Sequence, residues 1–279
     1  MKVFCILSDE RAGQSKSPIM FSRVLKRQGI NGTYVPFVVK PQDLGQAIQS
    51  IRILHMAGAN ITVPYKEAVI PLLDVLSEGA NIIGAVNTIV RDGDRLKGYN
   101  TNAIGVMDAL TEAGFEVDGK SALVFGTGGA ARAVVFILNW LRAATIFVAG
   151  RQMEKARSLI NTLGGEPLDL SSFSERPLPV DIVVNATAVS SSDESPEMAD
   201  LVSQLEIPGC ELVFDLNYGR PRNFWEELAR AKGIRFMDGL SALAYQARRA
   251  FALWTGLQVP PEEFLNALHE NGGEGQDPI

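Results

Sequence analysis

The stretch Val124-Phe125-Gly126-Thr127-Gly128-Gly129-Ala130-Ala131-Arg132 limits what this chain can fold into more than any other. Before it, Ser121 to Phe125 is a short apolar run, the size of a buried parallel strand. After it, Ala130 to Leu141 is rich in helix formers and contains neither Pro nor Gly. The frame is strand, glycine turn, helix. Gly126, Gly128 and Ala131 stand in the G-x-G-x-x-G/A spacing. In that spacing the first glycine makes the tight turn and the second lets the backbone approach a pyrophosphate. The small third residue lets helix and strand pack closely. The helix start then offers free N–H groups and partial positive charge to phosphates. Gly126, Thr127, Gly128, Gly129 and Ala130 are therefore the candidate dinucleotide cradle.

The end of the next strand discriminates between cofactors. An NAD site wants an acid there for the ribose 2′-hydroxyl. Here Thr145 to Ala149 runs into Gly150-Arg151, with no acid and one guanidinium. Arg151 has the planar fork that suits a 2′-phosphate, and Lys155 follows one helical turn later. The pattern predicts NADP.

The 279 residues, 46% apolar and 21% charged, can bury an ample core, and the length suggests two domains. The net charge of −6, with no basic run longer than Arg248-Arg249, argues against nucleic acid as a partner. No apolar segment reaches the roughly 18 residues of a membrane span, and Met1 onward has no signal-peptide layout. The expectation is a soluble cytoplasmic protein with a small-molecule substrate, monomeric or homodimeric. Cys5 and Cys210 each lie in a strand-like apolar run and are expected as buried free thiols. With two histidines, His55 and His269, and no Cys/His/carboxylate cluster, no metal is expected.

In chain order, Lys2 to Ser8 reads as a strand, and Ser17-Pro18 opens a helix to about Gln28 with Ser17 as N-cap. Thr33 to Val39 is a strand, Pro41 begins a helix, and Ala57 to Val63 is a strand ending at Pro64. A third helix is expected from about Lys66 to Leu76. This alternation implies a parallel or mixed sheet. Ala85 to Arg91 and Arg95 to Tyr99 flank Asp92-Gly93-Asp94 as a hairpin, and Asn100-Thr101-Asn102 caps a helix to about Ala113. After the glycine turn come a helix from Glu154 to Leu163 and a strand from Asp181 to Asn185. Residues 188–199 read as an exposed loop. Then follow a strand from Glu211 to Leu216, a helix from Asn223 to Lys232, and a strand from Ile234 to Met237. A long helix spans Gly239 to Thr255, and a last helix ends near His269. Asn271 to Ile279 reads as a disordered polar tail. Domain boundaries fall near Asn102 and Asp238.

Several polar residues stand where ligands bind. Ser15 and Ser17 put two hydroxyls at a helix start. Asn60 and Thr62 alternate on one face towards the carboxyl end of a strand, where open α/β sheets take ligands. Lys66 follows in a first helical turn, an unfavourable place for a cation. Asn87 sits between apolar neighbours in a strand-like run, as a residue facing a polar cleft would.

Taken together, Asn60-Ile61-Thr62-Val63-Pro64-Tyr65-Lys66, Ala85-Val86-Asn87-Thr88 and Gly98-Tyr99-Asn100-Thr101 resemble the signatures of the shikimate dehydrogenase family. Ser15-x-Ser17-Pro18, the glycine turn, Asn185-Ala186-Thr187 and Gly239-Leu240 with Gln246 extend the resemblance in family order over residues 15–256. The resemblance implies an α/β fold of two domains. Residues 1–102 with 239–279 would form the substrate domain, its sheet mainly parallel. Residues 103–238 would form a doubly wound Rossmann-type NADP domain, with the C-terminal helices returning to the first. It implies NADP-dependent interconversion of 3-dehydroshikimate and shikimate in aromatic amino-acid biosynthesis. Ser15 and Ser17 would bind the substrate carboxylate, with Tyr218 nearby. Asn60, Thr62, Asn87 and Gln246 would bind ring hydroxyls, and Lys66 would be the acid–base residue. Thr187 and Gly239 would flank the cofactor.

The chain departs from that pattern in one place near the chemistry. The family motif is Gly-Tyr-Asn-Thr-Asp, and here Asn102 replaces the aspartate that partners the lysine. Asn is isosteric but carries no charge and accepts no proton. Gln14 stands for a usual His, Asp9-Glu10-Arg11 for Gly-x-Pro, and Phe21-Ser22 for His-Asn. Three readings remain at this point. The first is a shikimate dehydrogenase of reduced activity. The second is a paralogue acting on quinate or a related cyclohexane carboxylate. The third is a nucleotide- and ligand-binding protein with little turnover.

Overall fold

The computed structural model describes residues 1–170 and 177–270, and the tail expected over Asn271 to Ile279 lies outside them. Two six-stranded sheets organise the chain. The first contains β1 (Lys2–Ser8), β2 (Gly32–Val38), β3 (Gly58–Ile61), β4 (Val75–Leu76), β5 (Thr88–Asp92) and β6 (Arg95–Tyr99). Their order is β2-β1-β3-β5-β6-β4. β1 pairs parallel with β2 and β3, and β4 with β6, whereas β5 runs antiparallel to both its neighbours. The sheet is thus mixed and mainly parallel, and the Asp92-Gly93-Asp94 turn closes β5 on β6. Helices α1 (Ser17–Arg27), α2 (Leu44–Ile53) and α3 (Glu78–Ile83) connect its strands.

Helix α4 (Asn102–Glu112) leads to the second sheet, in which all strands are parallel. It comprises β7 (Ser121–Phe125), β8 (Thr145–Ala149), β9 (Glu166–Leu168), β10 (Ile182–Asn185), β11 (Leu212–Asp215) and β12 (Arg235–Met237), in the order β12-β11-β10-β7-β8-β9. The connecting helices are α5 (Gly129–Trp140), α6 (Met153–Leu163), α7 (Pro196–Ser203) and α8 (Phe224–Lys232). From Ala122 onward β7 is apolar because it is buried on both faces. Ala122 and Val124 enter one core cluster, while Leu123 and Phe125 enter the cluster on the other side. From β7 the strand order runs outward through β8 to β9, then restarts at β10 on the opposite side. The glycine turn therefore lies where the winding reverses, the place where doubly wound sheets bind ligands.

Helices α9 (Leu240–Thr255) and α10 (Pro261–His269) return to the first sheet. Ala244, Phe251, Trp254 and Phe264 join Phe4, Ile6, Met20 and Phe21 in one core, with Phe21 stacked on Tyr34 at 4.6 Å. Burying each such aromatic contributes about 1.5–3 kcal/mol. Ala242 and Tyr245 of the same helix α9 pack with Val106 and Leu110 of α4 in the core beside the second sheet. One helix thus fastens both halves.

Several local expectations are overturned. Residues 66–76 form no α-helix. They form successive turns, a 3-10 turn over Ile70–Leu72 and then β4. Pro71 lacks the N–H an α-helix needs there and crowds the carbonyl one turn back. Ser17 is the first residue of α1 rather than its cap, and Ser15 Oγ accepts the Ser17 N–H at 3.2 Å. Asn102 is likewise inside its helix. The Asn100 Oδ1 accepts the Ala103 N–H at 3.2 Å, which frees the Asn102 side chain for the cleft. Thr62 lies one residue beyond β3, although it still faces the cleft. Residues 188–199 are not an exposed loop throughout. Ser190 and Ser191 are buried, and Ser195-Pro196 caps and starts α7. Cys5 is buried in β1, but Cys210 sits half-buried in the turn before β11, where its N–H bonds Ile207 O. Among the described residues no helix is long and apolar enough to cross a membrane.

Candidate active site

A cleft of about 270 Å³ opens between the two sheets. Of the residues singled out in the sequence, Ser15, Ser17, Asn60, Thr62, Lys66, Asn87, Asn102, Ala130, Thr187, Tyr218, Gly239 and Gln246 all line it. They arrive from β3, α1, α4, α5 and α9 and from the segments before α1, after β3, before β5 and after β10, β11 and β12.

A polar network forms one wall. Asn87, between Val86 and β5, is buried and turns its amide to the hinge between β6 and α4. Its Nδ2 donates towards Thr101 Oγ1 (2.8 Å), Asn102 Oδ1 (2.9 Å) and Gln246 Oε1 (3.1 Å), and its Oδ1 accepts the Thr101 N–H at 2.6 Å. The Thr101 hydroxyl donates to Gln246 Oε1 at 3.1 Å, and Gln246 Nε2 donates to Leu243 O. Residues far apart in sequence are thereby held in fixed rotamers, and a second Gln246 N–H stays available for a ligand. Asn60 is more committed to the protein. Its Nδ2 donates to Asn87 O (3.1 Å) and Thr88 Oγ1 (3.2 Å), and its Oδ1 accepts from Tyr34 Oη at 2.7 Å. Asn60 can offer a ligand only a remaining lone pair.

The opposite end carries hydroxyls. Ser15 hydrogen-bonds Tyr218, whose Oη accepts the Lys16 N–H at 3.5 Å. The turn that presents Tyr218 is pinned by buried Asp215, which accepts from Asn185 Nδ2 (2.8 Å), Asn223 Nδ2 (2.7 Å) and the Asn217 N–H (3.0 Å). Burial raises the Asp215 carboxyl above its usual range despite these donors.

Lys66 lies half-buried between the network and α5. Its carbonyl accepts the Val86 N–H at 2.7 Å. Burial pulls its ammonium down to about 8, and no neighbouring charge opposes that shift. The start of α5 presses directly on it, since a Cβ at Gly129 would stand 2.8 Å from the Lys66 Cβ. The glycine turn and the lysine are therefore one packed unit.

The turn itself suits an anion. Gly126 has φ +116, a conformation few residues other than glycine adopt, and its N–H bonds Ala149 O at 2.8 Å. No side chain caps α5, no acid lies in its first turn, and the space before Gly128 is open. These first-turn donors are the kind a pyrophosphate satisfies. Thr127 abuts Gly150, and beyond it Arg151 and Lys155 are exposed at the start of α6 with no acid at the strand end. The residues present fit an NADP molecule. Arg11, Gln14 and Arg220 also line the cleft but were not among the expected binding residues. Arg220 could have been found from its spacing, two residues after Tyr218.

A Rossmann-type sheet, a second α/β layer and a lysine-bearing cleft between them define a dinucleotide-dependent oxidoreductase fold. Residues 9–89 match the family described as shikimate dehydrogenase substrate binding domain. Residues 109–239 match shikimate / quinate 5-dehydrogenase, and 239–269 the shikimate 5'-dehydrogenase C-terminal domain. The chain belongs to the shikimate dehydrogenase family. It is 41% identical to the shikimate dehydrogenase (NADP(+)) of Desulforamulus reducens, over 94% of this chain and 92% of that one. The crystal structure of shikimate dehydrogenase from Aquifex aeolicus superposes with TM-score 0.85 at 31% identity, covering 97% of this chain and 98% of that one. The Thermus thermophilus shikimate 5-dehydrogenase in complex with NADP(H) and shikimate gives 0.83 at 34% identity, covering 96% and 98%.

Proposed function

We infer that this protein is an NADP-dependent shikimate dehydrogenase that interconverts 3-dehydroshikimate and shikimate. The observation that carries the reading is the desolvated Lys66 packed against the start of α5 and facing the Asn87–Asn102–Gln246 network. In this reading residues 1–102 with 239–279 hold the substrate and 103–238 the cofactor. Gly126 to Ala130 cradle the pyrophosphate, Arg151 and Lys155 take the 2′-phosphate, and Thr187 and Gly239 flank the nicotinamide. Bound NADP supplies the hydride acceptor. Ser15, Ser17 and Tyr218 fix the carboxylate end of the ring, while Thr62, Asn87, Asn102 and Gln246 orient its hydroxyls, with Asn60 bracing Asn87. Neutral Lys66 takes the proton of the reacting hydroxyl as its carbon gives up hydride, and the charged form returns it in the reverse direction. The direct test is NADP reduction with shikimate beside quinate. Turnover with quinate alone would transfer the reading to the paralogue, and binding without turnover would leave a binding protein.

The cofactor assignment is tested separately. With Arg151 and no acid at the end of β8, NADP should bind several-fold tighter than NAD. Arg151→Ala should remove most of that difference while leaving NAD affinity unchanged. Equal affinities in the unsubstituted protein would overturn the role of Arg151.

A further inference from the structure

The cleft is lined by three cationic side chains, Lys66, Arg11 and Arg220, and by no Asp or Glu among the described residues. The chain as a whole carries a formal charge of −6, so this concentration of positive charge is local. Lys66 serves the reacting end. The two arginines stand on the segments that carry Ser15 and Tyr218. Arg11 stands in the 3-10 turn Glu10–Gln14 that leads into Ser15. Arg220 follows Tyr218 closely enough for its charge to act on the Tyr218 hydroxyl.

Each arginine is fixed by an acid outside the cleft lining. Asp9 takes Nε of Arg11 at 2.8 Å and Nη2 at 2.6 Å, which leaves the Nη1 edge for other acceptors. Glu194 Oε1 stands 2.8 Å from Arg220 Nε, but the N–H is not aimed at it, and that buried Nε is without a hydrogen bond in the protein. Glu194 cannot follow the arginine freely, because its Oε2 already accepts the Ser190 and Ser191 N–H groups at 2.8 and 3.1 Å. The result is a pair of held guanidiniums with unused donors. They line one cleft from the two halves of the molecule, Arg11 on the turn that leads into Ser15 and Arg220 two residues after Tyr218.

The hydroxyls of Ser15, Ser17 and Tyr218 donate hydrogen bonds but bring no charge. A carboxylate leaving water is held poorly by neutral donors alone and well by a guanidinium. We propose that Arg11 and Arg220 clasp the substrate's carboxylate from the sides that Ser15, Ser17 and Tyr218 leave open, and so select an anionic ring acid. Asn102 contributes indirectly, since it adds no negative charge to a lining whose charged side chains are all cationic among the described residues. Such a cleft draws in anions, and the attraction falls with ionic strength. The proposal rests on the shikimate reading above.

The experiment is steady-state kinetics of Arg11→Met, Arg220→Met and the double variant, with shikimate and its uncharged methyl ester, at low and high salt. Each single change should raise KM for shikimate about fivefold, with kcat within about threefold. KM for the ester should hold, and the salt dependence of the shikimate KM should flatten. Should Arg220→Met fail to fold because Glu194 loses its partner, Arg220→Met with Glu194→Gln replaces it. NADP affinity and melting temperature report folding for every variant. A shikimate KM within about twofold of the unsubstituted enzyme, or an equal rise for acid and ester, overturns the clasp. Failure of the unsubstituted enzyme to turn over shikimate would instead overturn the functional reading.

Discussion

Lys66→Ala is expected to lower kcat by about 10²–10⁴-fold while changing KM for shikimate little. In the proposed mechanism the lysine transfers the proton while other groups grip the ring, so removal should show in the barrier rather than in binding. The pH dependence follows from the same burial. With its ammonium pulled down to about 8, Lys66 becomes the neutral base as pH rises through that value. Shikimate oxidation should therefore climb through about pH 8, and dehydroshikimate reduction, which needs the ammonium, should fall through it. The stability sign is opposite to that of a salt-bridged group. The folded chain disfavours a charge that the unfolded chain carries until near its ordinary value of 10.5. The cost is therefore full below about pH 8 and fades as pH rises towards 10.5. Lys66→Met, which keeps the apolar stem, should gain about 1–2 kcal/mol at pH 7 and lose that advantage at high pH. Denaturant unfolding at both pH values, with kcat measured alongside, checks this. A drop in kcat of less than about tenfold would remove the acid–base role from Lys66.

What could be read from the sequence was chemistry that acts locally. Gly126 stands in a tight strand-to-helix turn whose glycine spacing is written in adjacent residues, and β7 is apolar from Ala122 because both its faces are covered. The glycine turn, its strand and α5 were therefore legible, as were the polar residues at β3 and ahead of β5. What could not be read depended on which of two equivalent side chains finds a partner across the fold. Asn100 and Asn102 are both able to cap a helix, and only the position of Asn87 decides that Asn100 does so while Asn102 turns inward. Ser190 and Ser191 look like loop residues until Glu194 and Asn217 supply their partners. Arg220 resembles any exposed cation until Glu194 is seen to fix it at the cleft. Residues 66–76 are a different case, because Pro71 is incompatible with the middle of an α-helix whatever surrounds it.

Asn102→Asp is expected to raise turnover at least tenfold, about 1.4 kcal/mol of barrier, with little change in shikimate affinity. The fold should accept the change. Asn100, not Asn102, makes the helix-starting bond, and a carboxylate near the start of α4 is favourable to the helix. The contact to Asn87 should also survive, because Asn102 takes part through Oδ1 as acceptor at 2.9 Å and a carboxylate oxygen accepts equally well. What changes is charge. The cleft lining holds no acid among the described residues, so the new carboxylate would be the only counter-charge near Lys66. It should favour the ammonium, raise the lysine above about 8, and move the oxidation profile to higher pH. At saturating pH the carboxylate also stabilises the ammonium that forms as Lys66 takes the hydroxyl proton, an interaction that grows towards the transition state. Rate and pH profile should therefore shift together. A higher rate with an unmoved profile would mean that residue 102 acts on the hydroxyl alone. An equal or lower rate would mean that this chain tunes its lysine by burial and uses an uncharged residue at 102 by design.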